Sequence, residues 1–372
     1  MDAVPTSATA QPVAGLPSWP PPTGQRPARV GRIHGIDLAR GLAMLGMVIV
    51  HYVWAHSDTG FGAEVARAME GRAMPLFMLL GGVGVVLLSS RSSTPDRGLI
   101  IRAAILLVIG LILDAVNDRI AVVLQFYGLL FLVSPLLRRL SSTVLAVAAV
   151  ASVAIGGVTY QTVGDAPRRS SFEAIGEGWP FLRSLLFDGY YPFFPIFAFF
   201  ALGMVLARLD LRDQRVAALI AGVGTVVGLG TLVAANALTD ALAINPGAFA
   251  NGTFSADRLL DVSGHSSMPA WVISAAGTSA AVLGFSLLAA RAAPAVTRPV
   301  AILGTVALSF YVFQVLTTLV ITSPNETSLG REWLTVAILY GGFLVAAVVW
   351  KQWFRSGPLE ALLRVGTPRR RP

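Results

Sequence analysis

Cysteine is absent from this chain of 372 residues. That excludes disulfides, thiolate metal sites and a cysteinyl covalent intermediate, and leaves the redox compartment open. Lysine occurs once, at Lys351, so the chain's fixed positive charge is almost entirely arginine. Charge of either sign is scarce, at 13% of residues, about half the share of an average soluble domain. There are 4 histidines. No HExxH pattern, paired cysteines or carboxylate cluster is present, so no metal is expected. The glycines at 81, 82 and 84 lie inside an apolar run and lack a GK[ST] ending, which excludes a phosphate loop.

What the chain has instead is apolar length. Hydrophobic residues make up 55% of it, and they fall into ten runs: about 36–55, 73–90, 99–116, 120–137, 142–160, 191–208, 216–238, 270–290, 299–321 and 332–352. Crossing about 30 Å of hydrocarbon takes about 20 helical residues. The expected fold is an all-α polytopic membrane protein, a single bundle of about ten transmembrane helices. Residues 1–28 are rich in Pro, Ala, Thr and Ser with no apolar core and read as a disordered cytoplasmic tail, not a signal peptide. Residues 29–358 read as the membrane domain and 359–372 as a basic cytoplasmic tail.

Arginine sets the expected orientation through the positive-inside rule. With the N-terminus in the cytoplasm, the inner segments hold Arg26, Arg29, Arg32, Arg138, Arg139, Arg208, Arg212, Arg215 and Arg369–Arg371, among others. The outer ones hold fewer, including Arg67, Arg119, Arg168 and Arg169. Both termini are then cytoplasmic. The net charge of +8 is an orientation signal and a contact for anionic lipid, not a nucleic-acid surface. The preference for arginine over lysine, with abundant Ala, Gly and Val, suggests a GC-rich bacterial genome and hence a bacterial cytoplasmic membrane.

Two outer connections are long, at about 161–190 and 239–269, and long loops in compact proteins are usually functional or disordered. The first includes Asp188 and Tyr191, the second Asp261 and His265. Such aromatic and polar residues suit either a sugar-like acceptor or simple interfacial anchoring.

The first apolar run carries three ionisable residues, Asp37, Arg40 and His51, an expensive choice inside a membrane. Eleven helical steps bring His51 to within about 20° of the face of Arg40, and fourteen to within about 40° of that of Asp37. Arg40 and His51 are roughly 16 Å apart along the axis. The stripe is a candidate site that spans much of the bilayer. The blander alternative is an Asp37–Arg40 surface ion pair with an interfacial His51. Further along, Gln125 with Tyr127, and Tyr311, Gln314 and Thr318 at i, i+3 and i+7, either line the same cavity or bond between helices. Asp114 either holds an acceptor or faces water. The small residues at 81, 82 and 84 allow close helix packing or leave room for a ligand.

The string Arg32-Ile33-His34-Gly35-Ile36-Asp37-Leu38-Ala39-Arg40-Gly41-Leu42-Ala43-Met44-Leu45-Gly46-Met47 resembles the opening of the heparan-alpha-glucosaminide N-acetyltransferase catalytic-domain family. Pro75–Leu80 with its glycines, and Tyr191-Pro192-Phe193-Phe194-Pro195 with Leu202-Gly203-Met204, resemble later spans of that family. The spacing Arg40-x10-His51 is similar to the motif of the related membrane acyltransferase family three. The resemblance implies a cytoplasmic acyl-CoA donor, acetyl-CoA first among them, and an acceptor on the opposite face, such as an amino sugar or cell-envelope glycan. It implies that Arg40, beside Asp37 and with Arg91 and Arg97 nearby, meets CoA phosphate. It implies that His51 acts as general base or carries a transient acetyl group. Members of the heparan type have Asn-Tyr in place of His51-Tyr52 and a key histidine in the following loop, where His56 is the nearest equivalent here. Both histidines therefore remain catalytic candidates. The acceptor-side set is Tyr52, Arg72, Asp114, Gln125 and Gln314. The expected partners are the bilayer, acyl-CoA and the acceptor, with a homodimer as a candidate assembly. The competing class is a transporter or permease for a small polar metabolite, which would use the same buried charges as a relay.

Overall fold

A computed structural model describes residues 31–53, 60–117, 119–163, 175–187, 191–246, 253–321 and 329–364. His56 and Asp188 lie outside them, as do the reading of 1–28 as a disordered tail and the last residues of the basic tail. The chain divides into two units, Met1–Arg32 and Ile33–Pro372, and every helix described below belongs to the second.

The described residues form helices and no strand. In chain order these are α1 (His34–Tyr52), α2 (Phe61–Met69), α3 (Ala73–Arg91), α4 (Pro95–Val116), α5 (Leu124–Leu137), α6 (Ser142–Thr162), α7 (Trp179–Leu186), α8 (Phe193–Leu206), α9 (Gln214–Ala241), α10 (Pro269–Ala292), α11 (Pro294–Gly304), α12 (Ala307–Ile321), α13 (Leu329–Trp353) and α14 (Pro358–Leu362). Among the described residues, each of the ten apolar runs is mainly helical. Seven of the helices, α1, α3, α4, α6, α9, α10 and α13, are long and apolar enough to cross a membrane. The run at 299–321 is not one straight helix: α11 and α12 meet at 67°, and counting them as one broken span makes eight. The helices α5 and α8 have 14 residues each, which at 1.5 Å per residue reaches about 21 Å, short of the hydrocarbon thickness.

Burial separates the inner helices from the lipid-facing ones. Within its most apolar stretch α1 is 72% buried and α3 67%, against 22% for α6 and 11% for α13. The exposed residues of the outer helices are large and apolar, for example Val147 and Val150 of α6, Val226 and Val233 of α9, and Ile338 and Val345 of α13. On a water-soluble protein this would be an oversized apolar patch; in hydrocarbon it is the ordinary exterior.

Close packing of the inner layer depends on small residues. Gly82 of α3 lies against the Phe200 carbonyl of α8, and Gly203 of α8 against the Leu79 carbonyl of α3. Neither site has room for a Cβ, which is how two helices approach backbone to backbone in lipid. Gly41 of α1 faces the Val300 carbonyl of α11, and Gly304 of α11 faces the Asp37 carbonyl of α1.

The break before α12 leaves the first amides of that helix without intrahelical partners. The Glu360 carboxylate of α14 accepts hydrogen bonds from Leu308 N at 2.7 Å, Ser309 N at 3.1 Å and Ser309 Oγ at 2.6 Å. A carboxylate at a helix N-terminus is also favoured by the helix dipole. The segment just beyond α13 thus docks on the core at α14.

Candidate functional site

The stripe on α1 faces protein, and its two ends meet different surroundings. At the N-terminal end Asp37 is buried and accepts a bond from Arg40 Nη1 at 3.1 Å. This is the i, i+3 pair expected from spacing. The Arg40 guanidinium extends over α3, where a Cβ on Gly84 would stand 3.6 Å from Arg40 Nη2. The three glycines of α3 therefore divide their work: Gly81 receives the Tyr127 ring, Gly82 the α8 backbone, and Gly84 leaves the space above which Arg40 lies.

Arg40 does not act alone on this side. It and Arg102 of α4 both lie near enough to the Tyr127 hydroxyl of α5 to act on it electrostatically. Arg102 Nε is buried and has no hydrogen-bond partner among the described residues. Arg91 and Arg97, expected to join Arg40, stand exposed at the end of α3 and the start of α4. The cation that shares Tyr127 with Arg40 is Arg102.

At the other end of α1, His51 Nδ1 lies 3.0 Å from Gln314 Oε1 of α12. An amide oxygen only accepts, so this contact puts the imidazole proton on Nδ1 and leaves Nε2 with its lone pair. That is the tautomer a general base requires. The remaining amide atom, Gln314 Nε2, is buried without a partner among the described residues. Tyr52 is fixed to the same turn: its hydroxyl donates to the Gln314 carbonyl at 3.0 Å and lies 2.6 Å from Thr317 Oγ1. This commits Tyr52 to holding α1 against α12.

His51 borders a cavity of about 30 Å³, large enough for water. Its walls also include Met47, Met74, Gly71, Tyr191, His265 and Tyr311. Tyr311 is buried, and its hydroxyl accepts from Val123 N at 3.1 Å. A phenol that accepts one bond still has its own proton to donate.

The two ends are joined by aromatic rings. Tyr127 beside Arg40 packs on Phe77 with centroids 5.0 Å apart, and Phe77 stacks on Tyr311 of the cavity at 6.3 Å. Phe131 extends the row beyond Tyr127 at 5.2 Å. The row runs from the guanidinium end to the imidazole end beside the stripe of α1.

The other expected residues fall into three places. Arg72 is the N-cap of α3, next to cavity-lining Gly71, and donates to Ser274 Oγ at 3.0 Å. Burial lowers its pKa, and the guanidinium remains charged. Gln125 is fully buried at the start of α5, its Oε1 unpartnered among the described residues. Asp114 is half-buried near the end of α4. Three residues later Asn117 pins that end to α12, donating to the Val315 carbonyl and to Thr318 Oγ1, both at 2.8 Å.

His265 is the cavity residue that spacing along the chain did not single out. It lies 214 residues after His51, on the loop that precedes α10. The signal in the sequence was only that a long outer loop carried one histidine among aromatic and acidic neighbours.

Residues 32–239 match the family described as heparan-alpha-glucosaminide N-acetyltransferase, catalytic. Residues 213–370 match a second family, described as a protein of unknown function, DUF418. No curated protein matches the chain.

Proposed function

Because the chain belongs to the heparan-alpha-glucosaminide N-acetyltransferase catalytic family, a family of multi-pass membrane transferases, we propose that it transfers an acetyl or short acyl group from cytoplasmic acyl-CoA. The acceptor is an amino sugar or other glycan component at the outer face of a bacterial cytoplasmic membrane. The family name does not fix that acceptor, since a bacterium need not make heparan. In this reading α5, α8 and the bent α11–α12 pair complete ten crossing segments, with both termini in the cytoplasm.

The observation that carries the reading is the His51–Gln314 pair. It presents a basic nitrogen at a cavity, while Arg40 and Arg102 gather at the opposite end of the same stripe. The phosphates of CoA would meet Arg40 and Arg102 by charge-assisted hydrogen bonds. The pantetheine arm would follow the row Tyr127, Phe77 and Tyr311 and deliver the thioester to the cavity. There His51 Nε2 takes a proton from the acceptor as its nitrogen or oxygen attacks the carbonyl. The Tyr311 hydroxyl donates to the carbonyl oxygen as it becomes negative. The C–S bond breaks, and the proton held by His51 goes to the departing thiolate. His56 keeps its place as a candidate helper in the loop after α1.

The test is transfer from labelled acetyl-CoA to amino sugars by the protein in liposomes. His51→Ala should lower kcat by about 10²–10⁴-fold. Full activity in both His51→Ala and His56→Ala overturns the mechanism. Failure of acetyl-CoA to bind overturns the transferase reading and favours the transporter.

A further inference from the structure

His265 shares the cavity with His51 and comes from the other side of the chain's order, on the loop that leads into α10. Its ring is held edge-on by Tyr191, with centroids 5.7 Å apart, and lies 6.1 Å from the ring of Trp271. The backbone that presents it is unusual. His265 has φ 63° and Ser267 has φ 60°, a region non-glycine residues enter at a cost that surrounding structure must hold in place. Gly71 at φ 66° packs against this loop, and a Cβ there would meet Gly264, Trp271 Nε1 and His265 N. Ser267 and Trp271 are both buried, and Ser267 Oγ and Trp271 Nε1 have no hydrogen-bond partner among the described residues. A strained loop, braced by two aromatic rings and backed by two unpartnered polar groups, presents an imidazole to the cavity that holds the proposed base.

We infer that His265 is a second catalytic residue, the one that takes the first proton from an amine acceptor; the inference rests on the transferase reading above. Below its pKa an amine arrives as an ammonium ion, which has no lone pair to attack with. It must lose two protons in the reaction, whereas a hydroxyl loses one. His265 accepts the first and passes it to water. The freed nitrogen forms the C–N bond to the thioester carbonyl, His51 Nε2 accepts the second proton, and the C–S bond breaks. His51 then protonates the thiolate. One amide, one thiol and one released proton result, and no other reactant is needed.

Among the described residues, the titratable and charged groups on the elements packed around His265 include His51, Tyr191 and Tyr311 at the cavity, Glu70 against Gly264, Arg72 beside Gly71, and Asp261 in its own loop. All of them remain in the variants below. His265→Asn tolerates the positive φ but binds no proton at neutral pH, and His265→Gly is a second variant that fits the same backbone. In liposomes with acetyl-CoA and glucosamine as the probe, His265→Asn should transfer about 100-fold more slowly than the unsubstituted protein at about two pH units below the pKa of the amine. That deficit should shrink about tenfold per pH unit towards the pKa of the amine, because bulk solvent then supplies the neutral form. Added imidazole should restore His265→Gly. Unchanged transfer to the amine in both variants overturns the inference. A loss that is equal at every pH and not rescued by imidazole also overturns it, since that is a structural role. Both results leave the transferase reading intact. If the unsubstituted protein transfers to no acceptor, that reading fails and the inference fails with it.

Discussion

His51 owes its proposed chemistry to a neighbour on another helix. Without an acceptor at Nδ1 an imidazole exchanges between tautomers and rotates. With Gln314 Oε1 at 3.0 Å, Nε2 is held as the basic nitrogen. Gln314→Leu removes that acceptor but keeps the residue's bulk. We expect kcat to fall about tenfold, with KM for acetyl-CoA nearly unchanged, in steady-state transfer assays; an unchanged kcat means the amide does not orient the base. Tyr311→Phe removes a donor from the cavity and should lower kcat by about 10²-fold, read in the same assay. His51 was legible in the sequence as a candidate through its place on the face of Asp37 and Arg40. His265, by contrast, became visible only when a distant loop was brought to the same cavity.

Among the elements, the junctions with no room for side chains matter most. The α3–α8 contact places glycine against backbone carbonyl from both sides, so a larger residue must push the helices apart. Gly203→Val should destabilise the protein by about 1–3 kcal/mol, read as a lower melting temperature in detergent; a fully stable variant would show that α3 and α8 are not packed this way. The break between α11 and α12 depends on a cap supplied from far along the chain. Glu360→Ala strips the acceptor from Leu308 N and Ser309 N and should cost about 0.5–2 kcal/mol, the usual range for a lost helix cap. The same melt measures it. The helices themselves were legible because apolar length is a local property. The bend was not, because the run at 299–321 is long enough to cross as a single helix and its break is stabilised by Glu360, which lies in the segment expected to be a basic tail.

At the scale of the molecule, the proposed site needs both ends of α1. Arg40→Ala should weaken acetyl-CoA binding about 10–100-fold, the worth of a hydrogen bond to a charged group, in a direct binding assay on the folded variant; unchanged binding would place the phosphates elsewhere. Orientation can be tested because the chain has no cysteine of its own. A single cysteine at Ser263, exposed on the loop before α10, should react in intact cells with a maleimide that cannot cross membranes. One at Arg212, exposed between α8 and α9, should react only after permeabilisation. The reverse pattern would invert the topology and put the His51 cavity in the cytoplasm.

The class of the molecule follows from the order of residues along the chain. Composition and run length exclude a soluble fold, and helical periodicity aligns Asp37, Arg40 and His51 on one face, since both follow from residues near one another in the chain. Tertiary structure alone decided what that face meets: Gln314 at one end, Arg102 at the other, an aromatic row between, and His265 across the cavity. Those contacts join residues tens to hundreds of positions apart. They form because glycine-lined helices close on one another, and no periodicity along the chain encodes which side chains that closure brings together.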